Sequence, residues 1–407
     1  MDKQNNSVMT VANDLGYGAV KMQVDDEFVL APSVLAVERE QDLTSPVEFD
    51  NEEEQDQYMD QLLNQLDVTV SSSAVKRQGR FFVGQAAVES QLPLTMFDVN
   101  DFTGKADDDL ALILTLSLIA GKRVKEAYFA NEDLSSNLKV TVNMATALPI
   151  NEGKQAGVKE RYQQKYVNQR HQVTFHNFAD PITVDITFRR VYVALEGETA
   201  QLFIRYANPA LKEALASDFK ENYPELAKQV TIDDVINADN LLGIDIGEGT
   251  TDLVSIINGR ANATASSSLA KGYGNVLQQA IDVLQAQQMN FDSRTALQGY
   301  LSSTVSPFAK KHQARVQAVV YQQLEPFADQ IVDAVSKTMR TTGAQTELVF
   351  VYGGGAIPML SQSQLRNKLV AKLRNFNGGD DLPVIWINQE FAQLMNMEGL
   401  KLIASEL

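Results

Sequence analysis

The chain has 407 residues, a formal net charge of −17 (35 Lys plus Arg against 52 Asp plus Glu), no cysteine and a hydrophobic fraction of 44%. A chain of this length predicts two or three domains. The acidic balance argues against direct, nonspecific binding to nucleic acid, because that binding depends on Lys and Arg neutralising phosphates. It leaves open a nucleic-acid complex reached through a basic adaptor protein. The lack of cysteine excludes disulfides, thiolate metal sites and cysteine nucleophiles.

The amino terminus, Met1 to Met9, is polar and has no apolar run of the signal-peptide type. The longest apolar run, Leu110 to Ala120, is too short to span a bilayer and has helical periodicity. This run therefore predicts a buried helix. We expect a soluble cytoplasmic protein without a membrane partner.

One short pattern occurs twice, as Asp14 to Lys21 (DLGYGAVK) and as Asp245 to Asp252 (DIGEGTTD). Each copy follows an apolar, strand-like segment and runs on into apolar residues, which predicts a hairpin with a tight glycine turn. A single glycine hairpin is ordinary in any β-rich domain. Two copies with matching flanks favour two homologous half-molecules that face a polyphosphate from opposite sides.

Residue types in the two turns suit phosphate binding. Four glycines allow backbone N–H groups to approach phosphate oxygens closely: Gly16, Gly18, Gly247 and Gly249. Thr250 and Thr251 add hydroxyl donors, and Lys21 adds a positive charge. Asp14 and Asp245 would be repelled by phosphate, so they are better suited to holding hydrated magnesium or to orienting an attacking water.

A third glycine element lies near the carboxyl end. An apolar strand, Leu348 to Tyr352, runs into Gly353, Gly354 and Gly355 and then into a helix start. Close backbone approach of this kind suits a flat nucleoside and its α-phosphate. A plain strand-to-helix loop explains this element equally well when it is taken alone. The interpretation as a nucleoside-binding loop therefore depends on its occurrence together with the two phosphate loops.

The order of two phosphate loops and one adenosine loop resembles the superfamily of actin, sugar kinases and heat-shock chaperone ATPases. Within it, the chain resembles the bacterial actins of the ParM type, which segregate plasmids. Three further stretches resemble that group: Val140 to Ile150, Val191 to Glu198, and Glu390 to Ile403. The resemblance covers nearly the whole chain, and the segment Asn151 to Asp180 departs most from it.

The resemblance implies an actin-like α/β fold with two ribonuclease-H-like domains and a nucleotide cleft between them. It implies that domain I contains residues 1–150 and about 360–407, and that domain II contains 151–359. In domain II we expect strands over 184–195 and 200–206. Helices are expected over 275–287 and 316–339.

The resemblance also implies roles for site residues. ATP is the expected nucleotide, with GTP possible, and Asp14 and Asp245 are expected to hold Mg²⁺. Glu196 is the expected base that positions water, with Glu198 as the alternative, and Asp245 is the second catalytic residue. The expected nucleotide-binding residues are Asp14, Gly16, Tyr17, Gly18, Lys21, Gly247, Gly249, Thr250, Thr251, Lys271, Gly274, Asn275, Gly353, Gly354 and Gly355.

The expected function is that of an actin-like ATPase that polymerises head to tail on ATP binding and disassembles after hydrolysis. By resemblance, a DNA-bound adaptor of the ParR type couples the filament to plasmid DNA, with no direct contact between the filament and nucleic acid. The alternative is a sugar or small-metabolite kinase of the same superfamily, although no convincing substrate-deprotonating aspartate is found. The acid-rich segment Glu38 to Asp67 is interpreted as a surface insertion, with a filament or adaptor contact as the alternative.

Overall fold

A computed structural model of the chain describes residues 8–42, 45–98, 104–342 and 345–407. Most of the predicted polar amino terminus, residues 1–7, lies outside this range. The chain divides into two compact units, Met1–Leu195 with Met397–Leu407 (unit 1) and Glu196–Asn396 (unit 2). Each unit is built around its own sheet.

Unit 1 contains a ten-stranded sheet with the order β3-β2-β1-β8-β10-β9-β5-β6-β4-β7. Its strands are β1 (Val8–Leu15), β2 (Ala19–Val24), β3 (Glu27–Pro32), β4 (Val34–Val37), β5 (Asp67–Ser72), β6 (Arg80–Val83), β7 (Leu94–Met96), β8 (Leu138–Leu148), β9 (His171–Phe175) and β10 (Ile182–Leu195). Strands β1, β8 and β10 run parallel, and the other pairings are antiparallel.

The helices of unit 1 are α1 (Glu52–Asp60), α2 (Gln85–Glu89), α3 (Asp109–Phe129), α4 (Ile150–Gly153), α5 (Val158–Val167) and the greater part of α15 (Met395–Ala404). Helix α3 contains the predicted apolar run, and that prediction is confirmed. Its side chains are buried around nearly the whole circumference, as expected of a helix that is apolar on all sides. Asp108 caps the helix by accepting from the backbone N–H of Leu110 at 2.9 Å.

Unit 2 contains a smaller sheet with the order β13-β12-β11-β15-β16, and β14 also pairs with β12. Its strands are β11 (Leu241–Ile246), β12 (Thr251–Ile257), β13 (Arg260–Ala261), β14 (Ser267–Leu269), β15 (Leu348–Tyr352) and β16 (Val384–Trp386). Strand β12 is antiparallel to β11, whereas β15 and β16 run parallel to β11. The segment β3-β2-β1-β8-β10 of the first sheet has the same order and directions, with β1 matching β11.

The helices of unit 2 are α6 (Glu198–Arg205), α7 (Pro209–Asn222), α8 (Ile232–Ile236), α9 (Tyr273–Ala286), α10 (Arg294–Ser302), α11 (Lys310–Thr342), α12 (Ala356–Gln362), α13 (Leu365–Leu373) and α14 (Gln389–Ala392). Short 3-10 turns over both units are Glu40–Asp42, Leu62–Asn64, Lys105–Asp107, Leu226–Lys228 and Arg374–Phe376. Helix α11 contains the predicted helix 316–339, and α9 contains the predicted helix 275–287 except its last residue, Gln287, which caps it. Both helices bury an apolar stripe in the core of this unit.

Three sequence predictions differ from the structure. The prediction placed about 360–407 in the first domain, whereas residues 360–396 belong to unit 2 and Met397–Leu407 to unit 1. The prediction placed residues 151–195 in the second domain, whereas β9 and β10 of this segment belong to the first sheet because β10 pairs in parallel with β8. The predicted strand over 200–206 is wrong, because this segment forms helix α6. Thr199, Ala200, Phe203 and Ile204 are its buried residues, a spacing typical of one face of a helix.

Candidate functional site

The two glycine hairpins have the same register. In the first, between β1 and β2, Asp14 lies opposite Lys21. In the second, between β11 and β12, Asp245 lies opposite Asp252. The predicted repeat is therefore a repeat of structure, and each copy occupies the same position within its own sheet.

The two turns also close in the same way. The N–H of Gly16 donates to the carbonyl of Ala19 at 3.1 Å, and the N–H of Gly247 donates to the carbonyl of Thr250 at 2.9 Å. A Cβ on Gly16 would lie 2.7 Å from that same carbonyl oxygen, so the first turn has no room for a side chain at this position. Close packing of the backbone explains why glycine begins both turns.

Ser33 holds the first turn in place through two hydrogen bonds. Its hydroxyl donates to the carbonyl of Gly16 at 2.7 Å, and its N–H donates to the carbonyl of Gly18 at 3.0 Å. Ser33 is fully buried. Both carbonyls are thereby held on the protein side of the turn.

Lys105 supports the same turn and was missed from the sequence. It is 2% exposed, its Nζ donates to the carbonyl of Leu15 at 2.8 Å, and it lies 4.2 Å from the centroid of the Tyr17 ring. Glu152 accepts from the backbone N–H of Lys105 at 3.1 Å. Burial raises the pKa of Glu152, while its backbone hydrogen bonds and the charge of Lys105 act in the opposite direction. A single lysine ahead of an apolar helix carries no sequence signal for this contact.

Asp14 and Lys21 form an ion pair across the first hairpin, with Nζ 3.0 Å from Oδ2. The aspartate is almost fully buried, and about a fifth of the lysine side chain is exposed. The carboxylate charge of this hairpin is therefore compensated within the hairpin. Lys21 lies where the sequence predicts a phosphate ligand, on the second strand just after the turn.

The second turn rests on the start of helix α9. Tyr273 N–H donates to the carbonyl of Gly247 at 2.9 Å, and Gly274 N–H donates to the carbonyl of Glu248 at 2.8 Å. A Cβ on Gly272 would lie 2.4 Å from the carbonyl oxygen of Glu248. Glycine is therefore required at this position for the helix start to approach the turn.

Threonine hydroxyls of the second turn are engaged within the protein. Thr250 donates to Oδ2 of Asp252 at 2.7 Å, and Thr251 donates to the carbonyl of Lys271 at 2.9 Å. A hydroxyl has one hydrogen to donate. A phosphate contact from either threonine therefore requires the hydroxyl to exchange its present acceptor.

The third glycine element packs directly on the second loop. Gly353 has a φ of +92°, and a Cβ there would lie 2.4 Å from Oδ1 of Asp245. Gly355 N–H donates to the carbonyl of Ile246 at 2.8 Å, and its Cβ would lie 2.9 Å from Cβ of Tyr273. Three predicted segments of unit 2, around residues 245–252, 271–275 and 353–355, are therefore in mutual contact.

Glu196 follows β10 and is 8% exposed, and Gly197 after it has a φ of +84° and precedes helix α6. The N–H of Gly197 donates to Oδ1 of Asn396 at 2.9 Å, and Nδ2 of Asn396 donates to Oδ2 of Asp245 at 2.6 Å. The turn at Glu196 is thus connected to Asp245 through one amide. Glu198, the alternative base, lies in the first turn of α6 and is half-buried.

Asp245 and Asp252 place two carboxylates side by side on adjacent strands, near Tyr352. Burial raises the pKa of Tyr352 well above its ordinary value, and the charges of Asp245 and Asp252 raise it further. The phenol therefore stays neutral. Within the described ranges, no three His, Asp or Glu side chains are grouped to hold a metal ion. Magnesium is commonly held by one or two carboxylates together with substrate phosphates and water, and this donor set fits that mode.

Residues 243–365 match the family model described as archaeal actin homologue MreB-like, C-terminal. No curated protein matches the chain. The solved structure of the actin-like protein Alp7A is 17% identical, with a TM-score of 0.66 over 98% of this chain and 97% of that one. The chain has an actin-like fold.

Two further structures share this fold. The ParM of Bacillus thuringiensis with ATP is 14% identical, with a TM-score of 0.58 and 98% of both chains covered. The archaeal actin homologue Ta0583 is 17% identical, with a TM-score of 0.57 over 98% of this chain and 99% of that one. The predicted fold class is confirmed. Among the described residues, no helix is both long enough and apolar enough to cross a membrane.

Proposed function

We propose that this actin-like chain is an ATPase that polymerises head to tail when it binds ATP and disassembles after hydrolysis. The observation that carries the proposal is the pair of hairpins with equal register, Asp14 to Lys21 and Asp245 to Asp252, each between the first two strands of a sheet of the same order. The ATP named for the ParM of Bacillus thuringiensis, a structure of the same fold, supports the choice of nucleotide.

In this proposal both glycine turns bind phosphates through their backbone N–H groups, and Lys21 adds a positive charge. The glycines of 353–355 and the start of α9 form the nucleoside side of the site in this proposal, because both segments pack directly on the second phosphate turn. Lys271, Gly274 and Asn275 are the proposed ribose contacts. GTP would meet the same backbone groups.

Catalysis of phosphoryl transfer to water consists mainly of positioning and charge stabilisation. Glu196 is the proposed residue that positions the attacking water and accepts its proton. Asp245, held by Asn396, orients that water together with Glu196. Asp14 and Asp245 are the proposed outer ligands of hydrated Mg²⁺. When bound, Mg²⁺ would supply neutralisation of the phosphate charge.

Polymer formation would follow from a head-to-tail contact, because a heterologous contact whose rotation does not close repeats without limit. The proposed cargo is plasmid DNA, as the resemblance to the ParM-type actins implies. The net charge of −17 supports an indirect connection to DNA, through a basic adaptor of the ParR type. The proposed location is the cytoplasm.

Light scattering and sedimentation over a range of protein concentrations test the proposal. With ATP and Mg²⁺ we expect a pelletable polymer above a critical concentration, a slower decline with a non-hydrolysable analogue, and phosphate release that accompanies disassembly. Gly272→Val is the matched control, because a side chain there displaces the second turn and should remove both signals. Absence of polymer with any nucleotide, together with phosphate transfer to a sugar or other small molecule, would instead indicate a kinase.

A further inference from the structure

Asn396 is the second residue of helix α15 and is buried at 9% exposure, next to Asp245 and Thr199. Its Nδ2 donates to Oδ2 of Asp245 at 2.6 Å. Its Oδ1 accepts from the N–H of Gly197 and from the hydroxyl of Thr199, both at 2.9 Å. An asparagine in the first turn of a helix commonly caps its own helix, whereas these three hydrogen bonds run to other segments.

The orientation of this amide is determined by its neighbours. The N–H of Gly197 has only a hydrogen to offer, so it must face the amide oxygen. A flipped amide would place its NH₂ group against that N–H and its oxygen against the carboxylate of Asp245, which would leave two repulsive contacts in a buried place. The amide NH₂ group therefore points to Asp245.

We propose that Asn396 is a positioning residue that links the two proposed catalytic carboxylates, Glu196 and Asp245. It donates to Oδ2 of Asp245 and at the same time holds the peptide bond that joins Glu196 to Gly197. This inference rests on the proposed ATPase function. It assigns a role to a residue that lies outside the predicted phosphate and nucleoside segments and reaches the second of them through Asp245.

A neutral donor is needed at this position for an electrostatic reason. Two carboxylates separated by 2.6 Å cannot both be ionised, so they share one proton and titrate as a pair. An amide of the same shape donates to Asp245 without adding a second titratable group beside it. Oδ2 of Asp245 is then a fixed acceptor, and its rotamer is held by the bond.

Asn396→Asp tests the role with almost no change of shape. In its protonated form the introduced carboxyl donates to Asp245 as the amide does, and it still accepts from Gly197 and Thr199. We expect kcat of the variant to be at least about tenfold below that of wild type with KM for ATP within about threefold, because the introduced carboxyl shares its proton with Asp245 or repels it instead of holding Oδ2 as an acceptor. The affinity for ATP should change little.

Asn396→Ala is a second test variant, and Asn208→Ala is its matched control. Asn396→Ala removes the donor that orients Asp245, so kcat should fall at least about tenfold while KM for ATP changes little. Asn208 caps helix α7 of the same unit by accepting from the N–H of Leu211 at 2.8 Å. Asn208→Ala should lower thermal stability and leave kcat unchanged. If both alanine variants changed only stability, Asn396 would be merely structural and the proposal would be overturned.

A readout without ATP separates this inference from the proposed function. Relative to wild type, Asn396→Asp should lose thermal stability progressively as pH rises from about 5 to 8.5, because its buried pair resists full ionisation. If wild type neither binds nor hydrolyses ATP, the proposed function fails, and this stability difference still reports whether the amide faces Asp245. A stability difference that is constant over pH, or a kcat equal to that of wild type, contradicts the inference.

Discussion

Glu38→Gln is predicted to stabilise unit 1 at alkaline pH and to have little effect at acid pH. Glu38 follows β4, and its side chain is fully buried beside Asp67 and Arg80. The single guanidinium donates to Asp67 from Nε at 2.6 Å, and its Nε lies 3.4 Å from Oε2 of Glu38. One cation thus serves two buried carboxyl groups, and it is closer to Asp67.

Burial raises the pKa of Glu38 from 4.5 to about 8, with the hydrogen bond and charge of Asp67 and the charge of Asp42 adding to the rise, while Arg80 opposes it. His176 is also within reach of the charge of Arg80. Burial lowers the pKa of His176, and the charge of Arg80 lowers it further. Because the folded-state pKa of Glu38 exceeds the unfolded one, its contribution to stability is complete below pH 4.5 and is lost as pH rises through about 8.

The size of the effect follows from the same two values. Between the unfolded and folded pKa values, each pH unit removes roughly 1.4 kcal/mol of stability, which amounts to at most several kcal/mol over the window. In Glu38→Gln the neutral amide replaces the protonated carboxyl, so this loss should disappear. The stability difference between variant and wild type should therefore be small at pH 5 and should increase until about pH 8.

Hydrogen exchange of the β6 amides is the assay of choice, since it reports on one sheet of a chain with two units, for which a single global unfolding transition is not assured. Glu27→Gln is the matched control of opposite sign. Burial opposes ionisation of Glu27, but hydrogen bonds and charges from Lys122 and Lys125 outweigh it and lower its pKa. This control should be less stable than wild type at pH 7, with the deficit shrinking at lower pH. A Glu38→Gln effect that does not vary with pH would refute the reasoning.

Four further predictions concern the candidate site. Glu196→Gln should leave ATP binding nearly intact, slow phosphate release by about a hundredfold or more, and prolong filament lifetime in light scattering. Asp245→Ala should lose Mg²⁺-dependent turnover in a phosphate-release assay. Turnover that still depends on Mg²⁺ in this variant would disprove the metal assignment. Gly353→Ala should lower stability in a thermal melt by roughly 1–3 kcal/mol or more, because of its left-handed φ and the contact with Asp245. Lys105→Met should weaken ATP affinity several-fold in a fluorescence titration by releasing the carbonyl of Leu15, and unchanged affinity would show that the first turn holds its shape without this contact.

Features encoded by local chemistry could be predicted from the sequence. The hairpins are specified by glycine turns between apolar strands, and α3 by an apolar run of helical period. The predicted strand at 200–206 failed because a short run with Phe203 and Ile204 fits either element by periodicity. The buried residues of this segment lie on one face of a helix, and Gly197 directly precedes the first helical residue.

Features that depend on distant partners could not be predicted. Lys105 is 90 residues from Leu15, and Asn396 is 151 residues from Asp245. Neither residue lies in a motif, and a lone lysine or asparagine is compatible with a surface position. The assignment of residues 151–195 failed for the same reason, since it depends on the pairing of β10 with β8 rather than on any local signal.

The two hairpins share a backbone but differ in charge. In the first, the residue opposite the aspartate is Lys21, and the ion pair compensates Asp14. In the second, the residue opposite is Asp252, and the two carboxylates receive hydrogen bonds from neutral donors, the hydroxyl of Thr250 and the amide of Asn396. Neutral groups therefore donate to both carboxylates of the second hairpin, whereas a lysine pairs with the carboxylate of the first. One structural repeat thereby presents two charge arrangements, a carboxylate opposite a lysine on the first hairpin and two carboxylates opposite each other on the second.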